Sequence, residues 1–232
     1  MSNIKQFLIK KIENNVLLKK IACVLLPLYL RGKQKKQNKI FLSRGAELLA
    51  YFKSALDKQD LKFWLTSGTL LGAYREHRLL GHDLDLDVAM FAEDREKASA
   101  ALIAAGFKLE HEFGVAGEDV KEQSFCYKEV KIDIFYIEKT DKNLISHVFY
   151  QKDVFSSDKK FHVIQMFFPV TDFVEYDFLG SKYLIPEKTA EYLSANYGED
   201  FMTPNKSWDY RKDIPSAIYY SLEEKQGFAI FH

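Results

Sequence analysis

Acidic side chains at a spacing of two mark the part of the sequence that could do chemistry. The run HDLDLDV places Asp85 and Asp87 in a stretch where acidic and apolar residues alternate, a pattern typical of a half-buried β-strand. Because residues i and i+2 of a strand project from the same face, the two carboxylates are expected to point together while the intervening leucines face a core. Asp83 would extend the same acidic row.

A third carboxylate is expected from a neighbouring strand. The segment VKIDIFYI contains Asp133 as a single acid among apolar and aromatic residues, and an isolated Asp in a central strand is costly unless it is paired or bound to a metal. Carboxylates on one face repel each other, and a divalent cation relieves that repulsion. Ligands that are all oxygen favour Mg²⁺ or Mn²⁺. The sequence therefore predicts Asp85, Asp87 and Asp133 as metal ligands and catalytic residues.

The run SGTLLGAYR, just before the acidic row, carries the candidate substrate-binding residues. Gly68 at a strand-to-helix junction would let backbone N–H groups approach a phosphate at the N-terminus of a helix. Gly72, one turn later, would permit close packing or the approach of a ligand. Arg75 could clamp a diphosphate with two parallel hydrogen bonds. His77 and His82 have no evident third partner, so we expect surface or structural roles for them.

The elements around these residues predict an α+β domain. Apolar periodicity predicts a helix from about Leu42 to Lys58, a buried strand at Leu61–Leu65, and a helix near Thr69 capped by Ser67 or Thr69. Further predictions are a strand at Leu84–Phe91, a helix at Asp94–Ala105, strands at Lys108–Phe113, Ser124–Tyr127, Val130–Ile137, Ile145–Tyr150 and His162–Phe168, and a hairpin around Gly180. Pro186 would open a last helix. This order predicts a mixed β-sheet flanked by helices.

The 232 residues suit one domain with an appendage. Residues 1–40 contain ten basic residues and one acidic residue, a net charge of +9, so residues 41–232 carry −9. We therefore divide the chain into a helical basic arm, residues 1–40, and a catalytic domain, residues 41–232. The two cysteines are far apart and match no metal-site spacing, which fits reduced thiols in a cytoplasmic protein.

The basic arm predicts an anionic contact. Its Leu and Ile side chains would find little to bury on a nucleic acid, so we expect no nucleic-acid partner and favour an anionic membrane surface. The most apolar stretch, Ile21–Leu30, has ten residues, whereas a spanning helix needs about 20. The alternative is that the arm packs on the catalytic body with its lysines in solvent.

Two groups of motifs resemble the LicD and fukutin family, whose members are nucleotidyltransferase-fold enzymes that move a phospho-group from a CDP-linked donor onto a glycan. The first group is GTLLGAYR, Gly68–Arg75, followed ten residues later by the D-L-D of Asp85–Asp87. The FWLTSGTLLGAYR stretch and the DLDLD form resemble the fukutin branch more than the commoner LicD form, in which a Trp stands at the place of His82. The second group is similar to the closing helix and YG segment of the family: Ile185-Pro186, Tyr192-Leu193, Tyr197-Gly198 and Thr203-Pro204.

The resemblance covers roughly residues 45–210 and implies a nucleotidyltransferase-like fold. It implies that Asp85, Asp87 and Asp133 hold the metal, that Gly68 and Thr69 form the glycine turn, and that Arg75 binds the diphosphate. The implied reaction moves phosphocholine or a polyol phosphate, such as ribitol or glycerol phosphate, from a CDP-linked donor to a hydroxyl of a glycan acceptor, which could be lipid-linked. CMP would leave, and Asp133 or Asp83 would take the acceptor proton.

The implied product would be a lipopolysaccharide, capsule or similar surface polysaccharide. The enzyme would be cytoplasmic and peripheral at the inner face of the membrane, held there by its basic arm. Two alternatives stay open. One is a nucleotidyltransferase that moves NMP from an NTP to a small molecule and releases pyrophosphate. The other is a non-catalytic glycan-assembly protein, which failure to bind a divalent metal would favour.

Overall fold

The computed structural model describes residues 15–152 and 160–232, and for residues 16–28 it describes the backbone helix only. The predictions that concern residues 1–14 of the basic arm lie outside the described residues. The described chain builds one mixed β-sheet with helices packed against it, so the predicted α+β architecture is confirmed.

Helix α1 spans Val16–Asp57 and is much longer than predicted. The predicted start near Leu42 is wrong: the helix begins at Val16 and includes the polar stretch 31–38. The physical reason is that Lys, Arg and Gln are strong helix formers, so a polar composition does not end a helix. The apolar residues that gave this segment its helical periodicity are buried: Leu48, Leu49, Phe52 and Leu56. Among the described residues, no helix is long and apolar enough to cross a membrane.

Three further helices and eleven strands follow α1 in the described part of the chain. The helices are α2 (Ser67–Leu71), which continues into one π-helical turn (Gly72–Glu76), α3 (Arg95–Ala104), which follows a 3-10 turn (Ala92–Asp94), and α4 (Thr189–Tyr197). The strands are β1 (Trp64–Leu65), β2 (Asp85–Phe91), β3 (Lys108–Val115), β4 (Val120–Tyr127), β5 (Val130–Lys139), β6 (Asn143–Tyr150), β7 (Phe161–Pro169), β8 (Phe173–Phe178), β9 (Ser181–Pro186), β10 (Ala217–Tyr219) and β11 (Gln226–Phe231).

The strand order of the sheet is β10-β7-β11-β3-β4-β5-β2-β1-β9-β8, and β6 pairs with both β5 and β7. Strands β5, β6, β7, β11, β3 and β4 therefore pair in a closed cycle. Strand β2 lies between β1, which is antiparallel to it, and β5, which is parallel to it. The parallel register sets Asp87 directly opposite Asp133, so topology brings together two acids that are 46 residues apart in the sequence.

Two other predictions about elements are corrected by the structure. Pro186 does not open the last helix: it ends β9, opposite Phe173, and α4 begins at Thr189. A proline at the end of a strand does not interrupt the pairing of its interior, which makes this position acceptable. Strands β10 and β11 were not predicted. The first has only three residues and the second begins with Gln226-Gly227, so neither carries a strong strand pattern.

Candidate active site

The first turn of α2 is held against β2 by two hydrogen bonds that involve Asp87. The backbone N–H of Gly68 donates to the Oδ2 of Asp87 at 2.9 Å, and the backbone N–H of Asp87 donates to the Oγ1 of Thr69 at 2.8 Å. The predicted cap by Ser67 or Thr69 is wrong, because Thr66 holds the capping position without a side-chain cap. A carboxylate of β2 instead accepts from an N–H of the first turn, which the helix itself leaves without a partner.

Gly68 is needed because two carboxylates approach it closely. A Cβ at this position would lie 2.7 Å from the Oδ2 of Asp83 and 3.0 Å from the Oδ2 of Asp87. A different contact requires glycine at position 72, since a Cβ there would lie 2.6 Å from the carbonyl oxygen of Arg78. Neither Gly72 nor Thr69 lines the cavities at this site that the described residues form, so their structural surroundings are those of packing residues.

A cavity of about 460 Å³ is lined by five carboxylates and is called the acidic cavity below. The five are Asp83, Asp85, Asp87, Glu122 and Asp133. Strand β2 supplies Asp85 and Asp87, its parallel neighbour β5 supplies Asp133, and β4 supplies Glu122. The structure therefore brings the three predicted metal ligands to one cavity, and it places Asp83 beside them.

Burial dominates the electrostatics of the acidic cavity. Desolvation, and then the neighbouring Asp85, raise the pKa of Asp133 to about 7. Desolvation also raises the pKa of Asp83 to about 6, against an opposing effect of His82. The pKa values of Asp87 and Glu122 are raised well above the usual range by burial and by the other acids. Full ionisation of the cavity therefore needs a compensating positive charge.

The side-chain atoms that could coordinate a metal in the acidic cavity suit a hard divalent cation. All five side chains offer oxygen, and the Oδ1 of Asp133 is buried without a hydrogen-bond partner among the described residues. Oxygen-only ligand sets suit Mg²⁺ and Mn²⁺. No group of three or more His, Cys, Asp or Glu side chains in the described part of the chain is already arranged as a ligand set. The metal site of Asp85, Asp87 and Asp133 stays a prediction.

A second cavity, of about 630 Å³, adjoins the acidic cavity and contains Arg75; it is called the Arg75 cavity below. The Arg75 guanidinium donates from Nη1 to the carbonyl oxygen of Phe201 and from Nη2 to Glu76, both at 3.0 Å. Its Nε is buried without a partner among the described residues. Lys206 contributes a second cation to the lining. Arg75 thus lines a cavity next to the acids, where a residue that binds a diphosphate is expected. Its hydrogen bond to Phe201 also connects it to the C-terminal segment.

The two cavities share a wall formed by Gly68, Asp83, Tyr197 and Trp208. Tyr197 is the last residue of α4, and Trp208 follows in the C-terminal segment. The rings of these two residues lie 4.8 Å apart between centroids.

Sequence reasoning missed Glu122 and the aromatic residues of the shared wall. The predicted strand began at Ser124, whereas β4 begins at Val120. Glu122 and Ser124 share one face of β4 because they are two residues apart. An acidic residue at this spacing from the predicted strand could have indicated that Glu122 faces the site. His77 contacts the hydroxyl of Tyr176, and exposed His82, which lines the Arg75 cavity, lies 3.6 Å from Asp83.

Comparison with known proteins gives one family match. The family model described as "LicD/FKTN/FKRP, nucleotidyltransferase domain" matches residues 60–188. The match includes the segment from Gly68 to Arg75 and all five acids of the acidic cavity. The family description agrees with the predicted nucleotidyltransferase-like fold, which is confirmed.

Several curated proteins are similar to this chain. Human ribitol-5-phosphate transferase FKTN is 34% identical over 179 residues, covering 76% of this chain and 37% of the human protein. The uncharacterized protein RP689 of Rickettsia prowazekii is 26% identical over 158 residues, covering 60% of this chain and 56% of that one. The crystal structure of the lincosamide antibiotic adenylyltransferase LnuA with lincomycin bound has a TM-score of 0.42 at 15% identity, covering 66% of this chain and 93% of that one. The chain spans little more than a third of the length of the FKTN relatives.

Proposed function

Because this chain belongs to the LicD/FKTN/FKRP nucleotidyltransferase-domain family, we propose that it transfers a phosphorylated alcohol from a CDP-linked donor to a hydroxyl of a glycan and releases CMP. The similarity to ribitol-5-phosphate transferases favours a polyol phosphate, with ribitol phosphate first, over phosphocholine. The acceptor is a surface glycan such as a lipopolysaccharide or capsule.

The observation that carries this proposal is the meeting of two unlike cavities at one wall. One cavity is lined by five carboxylates, and the lining of the other includes the cations Arg75 and Lys206 beside the acids Glu76, Asp83 and Asp200. Transfer of a phospho-group needs cationic groups around the donor and an acidic site where the acceptor can lose its proton. Both kinds of group lie in cavities whose linings share Gly68 and Asp83.

Different residues of the chain would bind the donor and take the acceptor proton. Arg75 binds the diphosphate through the guanidinium, with Lys206 adding charge. The acceptor oxygen forms a bond to the phosphorus that carries the alcohol, the bond from that phosphorus to the bridging oxygen breaks, and CMP leaves with the bonding electrons. Asp133 or Asp83 takes the acceptor proton. In the absence of a cation, burial raises the pKa of Asp133 to about 7 and that of Asp83 to about 6.

A divalent cation held by Asp85, Asp87 and Asp133 would neutralise negative charge on the donor and on the leaving CMP. Until such a cation is present, the raised pKa values keep part of the cluster protonated. We propose Mg²⁺, with Mn²⁺ as the alternative, because the ligand oxygens are carboxylates.

We also propose that the basic arm keeps the enzyme at the inner face of a membrane, where a lipid-linked acceptor would be met. The support is the net charge of +9 within residues 1–40. Each Lys or Arg near an anionic surface contributes roughly 1 kcal/mol of attraction.

The test is a release assay with defined donors. The protein is incubated with Mg²⁺ and CDP-ribitol, CDP-glycerol or CDP-choline, with and without glycans, and CMP is measured. CMP release that depends on both glycan and metal supports the proposal. Release of pyrophosphate from an NTP, with no CMP from any CDP-alcohol, would instead identify a transferase of NMP.

A further inference from the structure

Tyr197 belongs to a motif to which the proposed function gives no role, Tyr197-Gly198. It is the last residue of α4, and Gly198 after it has φ 90° and ψ 169°, a backbone conformation open essentially to glycine alone. After this glycine, Phe201 accepts a hydrogen bond from Arg75, and Trp208 packs on the Tyr197 ring. The motif therefore joins α4 to the segment that contacts Arg75.

The position of Tyr197 is fixed by contacts that do not involve its hydroxyl. Its ring lies 4.8 Å from the Trp208 ring between centroids. Earlier in α4, the hydroxyl of Tyr192 lies 3.2 Å from the Oγ1 of Thr66, which immediately precedes α2. Helix α4 is thus tied to the turn that carries Gly68. The ring would keep this place without the hydroxyl, so packing alone does not account for a tyrosine here.

The Tyr197 hydroxyl is an unused hydrogen-bond donor. It forms no hydrogen bond within the described part of the chain. Burial, and then the charges of Asp87 and Asp83, raise the pKa of Tyr197 well above its usual range, while Arg75 opposes this shift. The same hydroxyl is therefore influenced by the acids beside the first turn of α2 and by the guanidinium of the neighbouring cavity.

Tyr197 is one of four residues that line both cavities. Of the other three, Gly68 has no side chain to offer, Asp83 is an acid, and the Nε1 of Trp208 is buried. Among the described residues, Tyr197 is thus the neutral hydroxyl donor that the two linings share. A hydroxyl suits a phosphate oxygen that lies between Arg75 and the acids, because it donates without adding a charge.

We propose that the Tyr197 hydroxyl donates a hydrogen bond to a non-bridging oxygen of the transferred phosphate, which is the distal phosphate of the CDP-linked donor. This assignment rests on the proposed function and adds a substrate-binding residue to it. The distal phosphate is chosen because the transferred phosphorus must lie beside the acids that act on this hydroxyl, Asp87 and Asp83. The proximal phosphate leaves within CMP.

The hydrogen bond would act both in the bound donor and in the transition state. The non-bridging oxygens of the transferred phosphate carry negative charge throughout the transfer, and a donor already fixed in place stabilises that charge. The hydroxyl keeps its proton in this role. CMP lacks the distal phosphate, so its affinity should not depend on the Tyr197 hydroxyl, whereas the affinity of CDP should.

The experiment compares CDP with CMP by isothermal titration calorimetry on the full chain in Mg²⁺. Tyr197→Phe removes the hydroxyl and keeps the ring that packs on Trp208. It should weaken CDP binding about tenfold, as expected for a lost hydrogen bond to a charged group, and leave CMP binding unchanged. The readout is the ratio of the two affinities, because any loss of folded protein lowers the binding of both ligands equally.

Tyr51→Phe is the matched control. The Tyr51 hydroxyl donates to the carbonyl oxygen of Ala105, and Tyr51 lines neither cavity, so this variant should bind CDP and CMP like the wild type. Phosphorus NMR gives a second readout. The distal phosphorus of bound CDP should resonate at a different position in Tyr197→Phe than in the wild type, and the proximal phosphorus should not.

The outcomes separate this assignment from the proposed function. An unchanged ratio of CDP to CMP affinity in Tyr197→Phe, including equal weakening of both ligands, would overturn the assignment and leave the proposed function standing. A shift confined to the proximal phosphorus would overturn it as well. A wild-type chain that binds neither CDP nor CMP would refute the proposed function itself.

Discussion

At the scale of single residues, burial sets the properties of the acidic cavity. Asp133 is buried, one of its oxygens has no partner among the described residues, and its pKa is raised to about 7 by desolvation and by Asp85. An ionised carboxylate in such a place opposes folding unless a cation compensates it. The same residue can therefore lower the stability of the metal-free protein and be required for activity.

Metal-free protein should lose stability through Asp133 as the pH rises. The folded pKa of about 7 lies above the reference value of 3.8, so the contribution of Asp133 to stability is full below the reference pKa and is lost as the pH rises through about 7. Asp133→Asn removes this titration. In EDTA, the melting temperature of the variant minus that of the wild type should grow between about pH 5 and about pH 8.

If the difference in melting temperature between variant and wild type stays constant or shrinks from about pH 5 to about pH 8, the raised pKa of Asp133 is contradicted. Added Mg²⁺ provides the companion measurement. It should raise the melting temperature of the wild type more than that of the variant, because the variant lacks one of the proposed ligands.

Gly68→Ala should damage the site through contact with its carboxylates. The new Cβ would lie 2.7 Å from the Oδ2 of Asp83, so that side chain must move, and we expect CMP release to fall at least tenfold, a loss of about 1.4 kcal/mol in transition-state stabilisation. Gly32→Ala is the control, because its Cβ meets nothing within 4 Å and Ala favours the helix. If Gly68→Ala releases CMP as fast as the control, the position of the Asp83 carboxylate next to Gly68 is not required for activity.

At the scale of elements, α1 reaches the acidic row directly. The side-chain amide of Asn38 donates to the carbonyl oxygens of Gly81 and Asp83, at 3.0 Å and 2.8 Å. These bonds fix the turn that leads into β2, and with it the backbone that carries Asp83. Helix α1 is thus part of the support of the site as well as part of the core.

Asn38→Ala should lower the rate of transfer more than it lowers stability, because it frees the turn before β2. Gln37→Ala is a matched control. The side chain of Gln37, also on α1, donates to the backbone carbonyl oxygen of Glu129, which lies in the turn before β5 and not in the turn before β2. Turnover and melting temperature are measured for both. Equal turnover in the two variants would mean that the Asn38 bonds do not position the acids.

Much of this element structure follows from local pattern, and the rest depends on pairing. The alternation in HDLDLDV predicted β2 and the shared face of Asp85 and Asp87, and the apolar surroundings of Asp133 predicted a central strand. The register that sets Asp87 opposite Asp133 is a long-range choice that no local spacing encodes. Glu122 was missed because β4 begins four residues earlier than its pattern indicated. The loop with Trp208 and Tyr210 has no period, so its place at the cavity comes only from the fold.

At the scale of the whole molecule, charge is separated along the chain. Residues 1–40 carry +9 and the remainder carries −9. A compact acidic body with a basic extension is suited to an anionic surface, and the interaction should be sensitive to salt because the Debye length shrinks to about 3 Å at 1 M. The competing hypothesis remains that the extension packs on the body.

Deleting residues 1–36 should abolish sedimentation with anionic vesicles and leave transfer to small soluble acceptors intact. This deletion removes nine of the ten basic residues of the arm and keeps Gln37 and Asn38, which contact the body. The full chain should bind phosphatidylserine vesicles at low salt, less at high salt, and neutral vesicles weakly. A full chain that ignores anionic vesicles, with a truncated chain that aggregates, would favour packing on the body.

The most direct test of the central claim measures CMP release from CDP-ribitol with a glycan acceptor in Mg²⁺, for wild type, Asp85→Asn and Asp87→Asn. Both variants keep the shape of the side chain, and the metal-free melting temperature should hold or rise because one buried charge is gone. The wild type should release CMP, and EDTA should stop the release. Each variant should keep less than about a tenth of the wild-type rate, a loss above about 1.4 kcal/mol. A folded variant with a rate near that of the wild type would contradict the assignment of these carboxylates as the catalytic metal ligands.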